Sequence, residues 1–309
     1  MTQQLPSQAR KQVSSQARIL AVLQLAEDEP ELDDLQPYLD DPDAEVRVTA
    51  VNTLTEATPD GFATALVDAL LDSEPTVRRA AAAALRESEE LLPTDDTLRG
   101  GLTKAALVDD VFVREVVFGT LRALRLGNLE VFSAGLEDEA TGVRIEALGG
   151  LVSLNLAEAV SQAWTDPERE VRVAAARGLG TIGDPCAATT LARLATDPEP
   201  LVRASALEAA KGLGCPSPLE DLAVAALTDP AWQVRKGAAI ALGATAPDVA
   251  IQPLVQAITD VHIDVRKTAV RSLARWAKLP TVSAALTRAL QDPDADVRGY
   301  ARHGLAAES

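Results

Sequence analysis

The chain is poor in the residues that catalytic and secreted proteins depend on. Its 309 residues include two histidines and two cysteines, and aromatics make up only 3%. Two cysteines, Cys186 and Cys215, cannot build a disulfide framework; with no signal peptide ahead of them, they predict free thiols in a reducing cytoplasm. No apolar run approaches the roughly 18 residues needed to cross a bilayer. His262 and His303 form no metal-ligand spacing with the cysteines, and no His-Glu pair or Ser/His/Asp constellation stands out. The expectation is a protein without catalytic residues, metal or cofactor. Cations are scarce too: 29 Lys and Arg against 46 Asp and Glu give a net charge of −17. That balance disfavours nucleic acid or an anionic membrane as partner. Part of the acid has a local explanation, because carboxylates at helix N-termini are favoured by the macrodipole.

Hydrophobic residues, at 47%, are ample for a core, and Ala and Leu supply it in place of aromatics. They are arranged in a repeat. A Val-Arg pair occurs nine times, at Arg47, Arg78, Arg114, Arg144, Arg172, Arg203, Arg235, Arg266 and Arg298. Successive arginines are 31, 36, 30, 28, 31, 32, 31 and 32 residues apart, the signature of a solenoid. With the Arg as position zero, −1 is Val, +3 is Ala in eight copies, and +7 is Leu in eight. Positions −1, +3, +7 and +10 share one face of a helix. An Asp at −6 recurs in eight copies and is followed by Pro in five. Asp and Pro in that order predict an N-cap and first helical residue.

The pattern Asp-Pro-x-x-x-Val-Arg-x-x-Ala-x-x-x-Leu-Gly, best seen at 166–180, resembles the short HEAT repeats of the phycobilisome-lyase type, and the resemblance covers roughly residues 12–306. It implies an all-α fold, a right-handed α-α superhelix of about nine helix pairs, each with an outer helix A and a concave helix B. It also implies that the Val-Arg arginines pair with aspartates between repeats, a structural role. Residues 12–26 read as a lone B helix that caps the array, with Arg18 in register 29 before Arg47. The expected organisation is a disordered lead-in at 1–11 and a single HEAT-repeat solenoid over 12–309. The copy around Arg114 is irregular: its −6 residue is Val108, Asp109 and Asp110 are displaced, and Gly100-Gly101 falls inside helix A.

Gly178, Gly180 and Gly183 match G-x-G-x-x-G, but a helix rather than a strand precedes them, so they read as a helix C-terminus. Register places Trp164 and Trp276 in the core. Trp232, at −3, is a candidate contact residue or a packing residue over the inter-repeat turn.

The candidate site is the B-helix face opposite the core, at +1, +5 and +8. It holds Arg79, Arg86, Arg122, Arg177, Lys211, Lys236, Lys267 and Arg271 against Glu115 and Glu208, a balance of eight minus two, or +6. Arg275 and Lys278 extend it. Ile145 and Val152 are apolar slots in its middle, flanked by Phe118 and Leu148. Such a groove suits an acidic or amphipathic protein segment. The expected protein is a cytoplasmic, monomeric, non-catalytic scaffold. Two alternatives follow from the resemblance: a bilin-lyase-like subunit, with cations on propionates and Phe118, Leu148 and Val152 on the rings, and a HEAT-like DNA glycosylase. The scarcity of aromatics and the acidic charge weigh against the second.

Overall fold

The computed structural model describes residues 14–306, so the expected lead-in at 1–11 lies outside the described residues. Those residues form 19 α-helices joined by turns and short 3-10 segments, with no strand. The chain divides into two compact units, Met1–Gly127 and Asn128–Ser309.

The first unit holds α1 (Ser15–Leu25), α2 (Leu32–Leu39), α3 (Ala44–Ala57), α4 (Phe62–Ala69), α5 (Pro75–Glu87), α6 (Asp96–Ala105) and α7 (Val111–Ala123). The second holds α8 (Leu129–Gly135), α9 (Thr141–Ser153), α10 (Ala157–Ser161), α11 (Arg169–Ile182), α12 (Ala188–Leu194), α13 (Pro200–Ala210), α14 (Leu219–Ala226), α15 (Trp232–Leu242), α16 (Pro247–Ala257), α17 (Ile263–Leu273), α18 (Pro280–Ala289) and α19 (Ala295–Ala306). Even-numbered helices are A helices and odd-numbered ones are B helices. Within each unit every B helix packs on its own A helix and on the next B helix. The described residues therefore contain nine A/B pairs, with α1 as the expected unpaired B helix.

The periodicity of the sequence becomes the core directly. The Val at −1 and the residue at +3 are fully or almost fully buried in all nine copies, and the +7 residue in eight; Leu305 is half-buried. Small residues set how closely B helices approach in the second unit. A Cβ built on Gly212 would lie 2.3 Å from the carbonyl oxygen of Gly180, and one on Gly180 2.6 Å from the Ala209 Cβ. Backbone meets backbone there, and any side chain would force the helices apart. Gly178 and Gly180 lie inside α11, and Gly183 is its C-cap at φ 69°, as the helix-terminus reading expects. Gly101 has a similar role in the first unit, since a Cβ there would meet a Val67 methyl at 2.2 Å.

The arginines form a ladder. Arg18, Arg47, Arg144, Arg172, Arg203, Arg235 and Arg266 each donate from Nε and Nη2 to both oxygens of the next copy's Asp: Asp41, Asp72, Asp166, Asp197, Asp229, Asp260 and Asp292. Arg47, Arg144, Arg172, Arg203, Arg235 and Arg266 also donate Nη1 to the carbonyl of their own −6 residue at 2.7–3.0 Å. One guanidinium thus ties its own turn to the next in a bidentate, planar fork that Lys could not copy.

The capping expectation needs correction. The −6 Asp is not the N-cap but stands two residues before it. Its carboxylate accepts the N–H of the N-cap residue, as Asp166 does from Glu168 at 2.9 Å and Asp260 from His262 at 2.7 Å. Pro at −5 lies in the turn and does not open the helix; the prolines at the first helical position are others, such as Pro75 and Pro200. The carboxylate is needed for the ladder, so the N-cap falls to whatever follows: Glu168, Glu199, Ala231 or His262.

Burial pushes the carboxyls of Asp72, Asp260 and Asp292 up, but the arginine fork and the turn N–H together outweigh it, and each ends below its usual value. A depressed folded value contributes stability that is present above the unfolded value, about 3.9, and is lost as pH falls through the folded one. The melting temperature is therefore expected to hold level from neutral pH to about 5 and to fall below about 4. Asp260→Asn, less stable at pH 7, is expected to show a smaller acid-induced drop; an unchanged drop would remove the ladder from the explanation.

Candidate functional site

The B-helix face carries the cations expected of it, but their surroundings differ along its length. In the second unit Arg177 on α11 and Lys211 just after α13 are exposed and have no ion-pair partner among the described residues. Lys236 on α15 pairs with Glu208 on α13 at 3.2 Å. Lys267 on α17 reaches Asp294 at 3.5 Å and Asp296 at 2.8 Å. Arg271 lies over the Tyr300 ring at 5.4 Å, and Arg275 lies over Trp276 at 5.1 Å and donates to the Gly243 carbonyl. Those aromatic contacts orient the guanidiniums and leave their charge in place. In the first unit Arg79 on α5 is taken by Asp110 at 2.9 Å, Arg86 stacks on Phe112 at 5.3 Å, and Arg122 is exposed.

A count of the +1, +5 and +8 slots therefore overstates the free charge. It leaves out Asp110, Asp294 and Asp296, which sit at B-helix N-termini and reach a cation of the preceding B helix. Their position ahead of a Val-Arg pair was the available signal, but the pairing requires knowing which helices are neighbours.

The apolar middle is also altered. Phe118 and Leu148 are buried and cannot meet a partner. Position +4 faces the adjoining B helix: the space over Gly178 on α11 is filled by Val152 and Leu148 of α9. Val152 and Ile145 are half-buried. Trp232 stacks on His262 of the next copy with ring centroids 3.9 Å apart and planes 6° from parallel, which is the inter-repeat packing role. Trp164 and Trp276, expected in the core, are half-buried, with Arg193 lying 4.8 Å over the former. An indole is too wide for a layer whose spacing is set by Ala, so each lies at its edge under a guanidinium.

Both cysteines are free. Burial, then the Glu220 carboxylate, push the Cys215 thiol up to about 12, and the Asp184 hydrogen bond raises that of exposed Cys186, so neither is an activated nucleophile. No helix among the described residues is long and apolar enough to cross a membrane.

A layered array of A/B helix pairs, laced by an arginine ladder and presenting a polar B-helix face, is an α-solenoid of the repeat-protein class. The family description "HEAT repeats" matches residues 2–86, 129–211 and 219–306. The chain belongs to the HEAT-repeat family. The match does not single out the phycobilisome-lyase subclass. No curated protein sequence matches the chain. Among solved structures, an engineered protein is similar at 20% identity and a TM-score of 0.56, with 96% of each chain covered. Kap121p, in a complex with Pho4p, is similar at 16% identity and a TM-score of 0.62, and Kap95p, from a structure concerned with RanGDP and nuclear import complex assembly, at 15% and 0.60. The chain spans 40% of the Kap121p chain and 50% of the Kap95p chain. At these identities the likeness establishes the solenoid fold.

Proposed function

We propose that the protein is a non-catalytic interaction scaffold, a cytoplasmic monomer that holds an acidic or amphipathic protein segment against the exposed face of its B helices. The observation that carries this reading is the pair Arg177 and Lys211, exposed cations without a counter-ion among the described residues, in a chain of net charge −17. Arg271, propped on Tyr300, continues the stripe. Exposed guanidinium forks bind carboxylates in fixed geometry, and a repeat array presents them at regular intervals. Long solenoids typically work as binding surfaces, as in Kap121p bound to Pho4p and in Kap95p binding that acts on RanGDP.

The triple variant Arg177→Glu, Lys211→Glu, Arg271→Glu tests the face. None of the three is in the ladder or the core, so the helical circular dichroism and melting temperature are expected to stay near wild type. Partners recovered from lysate by the wild-type chain, then re-bound as purified proteins, are expected to bind the variant about tenfold or more weakly, since each lost charged contact is worth roughly 1.5–3 kcal/mol. Equal binding by both would show that the stripe is solvated surface.

A further inference from the structure

The ladder has one broken rung within the first unit. Val108 occupies the −6 place by backbone geometry, because its carbonyl accepts Arg114 Nη1 at 3.0 Å, as the −6 carbonyls do elsewhere. It has no carboxylate to offer. Arg78, whose Nη1 holds the Asp72 and Ser73 carbonyls at 2.8 and 3.0 Å, consequently has no ion pair among the described residues, and its Nε is buried without a hydrogen bond. The nearby carboxylate of Asp110, displaced two positions along the chain, is engaged by Arg79 and accepts the Phe112 N–H at 3.1 Å. An open cleft of 770 Å³ lies at this point, walled by Pro75, Arg78 and Arg79 of α5 and Val111, Phe112 and Glu115 of α7. The segment 87–128, which supplies the α7 wall, is one that the family match passes over.

We infer that the cleft between the N-terminal ends of α5 and α7 docks a protein segment bearing one acidic side chain among apolar neighbours, whose carboxylate fills the unfilled place opposite Arg78. Every intact rung shows the group that this guanidinium surface takes, a carboxylate carried on a polypeptide turn. Pro75, Val111 and Phe112 offer apolar contact around it. Asp110 is spent on Arg79, and Asp109 and Glu115 oppose any acid in the cleft that is not paired directly with Arg78, so the site selects a lone carboxylate over an acidic run. A small inorganic anion would gain the charge contact alone, without the apolar walls. The inference takes from the proposed function only that the partner is a protein.

The test is a displayed library of random dodecapeptides selected on the intact chain, with winners measured by fluorescence anisotropy. Winners are expected to carry a single Asp or Glu flanked by apolar residues. They are expected to bind Arg78→Gln and Val108→Asp about tenfold or more weakly and Arg177→Glu as well as wild type. Val108→Asp decides the matter even if Arg78→Gln folds poorly, because it keeps Arg78 and supplies the missing carboxylate from within; it should melt at or above wild type. Absence of lone-acid winners, binding indifferent to Val108→Asp, or a Val108→Asp chain that melts below wild type overturns the inference. Winners lost by Arg177→Glu alone would overturn it while supporting the B-helix face.

Discussion

Arg144→Ala is expected to destabilise the second unit by about 3–5 kcal/mol, among the largest effects of any single substitution in the chain. Arg144 and Asp166 are both only 9% exposed, so their charges are well removed from water. Taking the guanidinium away leaves the Asp166 carboxylate buried and uncompensated, and also removes the Nη1 hydrogen bonds to the Asp138 and Glu139 carbonyls at 2.9 and 3.1 Å. Asp166→Asn should cost less, because its amide oxygen can still accept the Glu168 N–H and one guanidinium N–H. The double variant Arg144→Met, Asp166→Asn should recover part of the loss, since the expense lies in the unpaired charge more than in the missing pair. Urea unfolding followed by circular dichroism gives all three. A loss under about 1 kcal/mol for Arg144→Ala would place the pair with exposed surface bridges, which are worth that little.

Phe132→Ala should cost a similar amount, about 3–5 kcal/mol, by a different mechanism. Phe132 on α8 is 1% exposed, and its ring fills the space over Gly150 on α9, where a Cβ would sit 2.3 Å from the ring. Gly150 has no side chain to relax into the hole, which puts the cost toward the upper end. The same geometry gives a sign reversal. Gly150→Ala should destabilise the wild-type chain by overpacking yet restore stability in the Phe132→Ala background. A double-mutant cycle measured by thermal melts checks this; additive costs would mean that the ring does not occupy that space.

The two substitutions mark where sequence reading reached and where it stopped. The Val-Arg repeat, read one-dimensionally, put a helix at each copy and identified the −1, +3 and +7 core, because helical period and burial are coupled along a single element. The arginine ladder was legible only through the family resemblance. Its details, a bidentate fork to the next turn and a third bond to its own, depend on distances between elements. Phe132 over Gly150 carried no periodic signal, since it pairs an A helix with a glycine that looked like an unexceptional helical residue.

The candidate site was legible in the same partial way. Among the +1, +5 and +8 positions, Arg177, Lys211 and Arg271 are exposed. Phe118 and Leu148 were offered as flanks of a groove and are core, because +4 turns toward the adjoining B helix. The irregular copy was noticed as Val108 and two displaced aspartates. That Arg79 would take Asp110 and leave Arg78 without a partner needed the neighbouring helices in place.

By itself the sequence determined the fold class, the repeat boundaries, the core of each B helix and the acidic character of the whole. All of these are properties of one helix at a time, or of composition. The tertiary structure alone decided which cations are free and which are spent on a neighbour's carboxylate, which aromatics are buried, and where the ladder is broken. Those are relations between side chains about 30 residues apart in the chain and about 3 Å apart in space, and they exist only once the helices have packed.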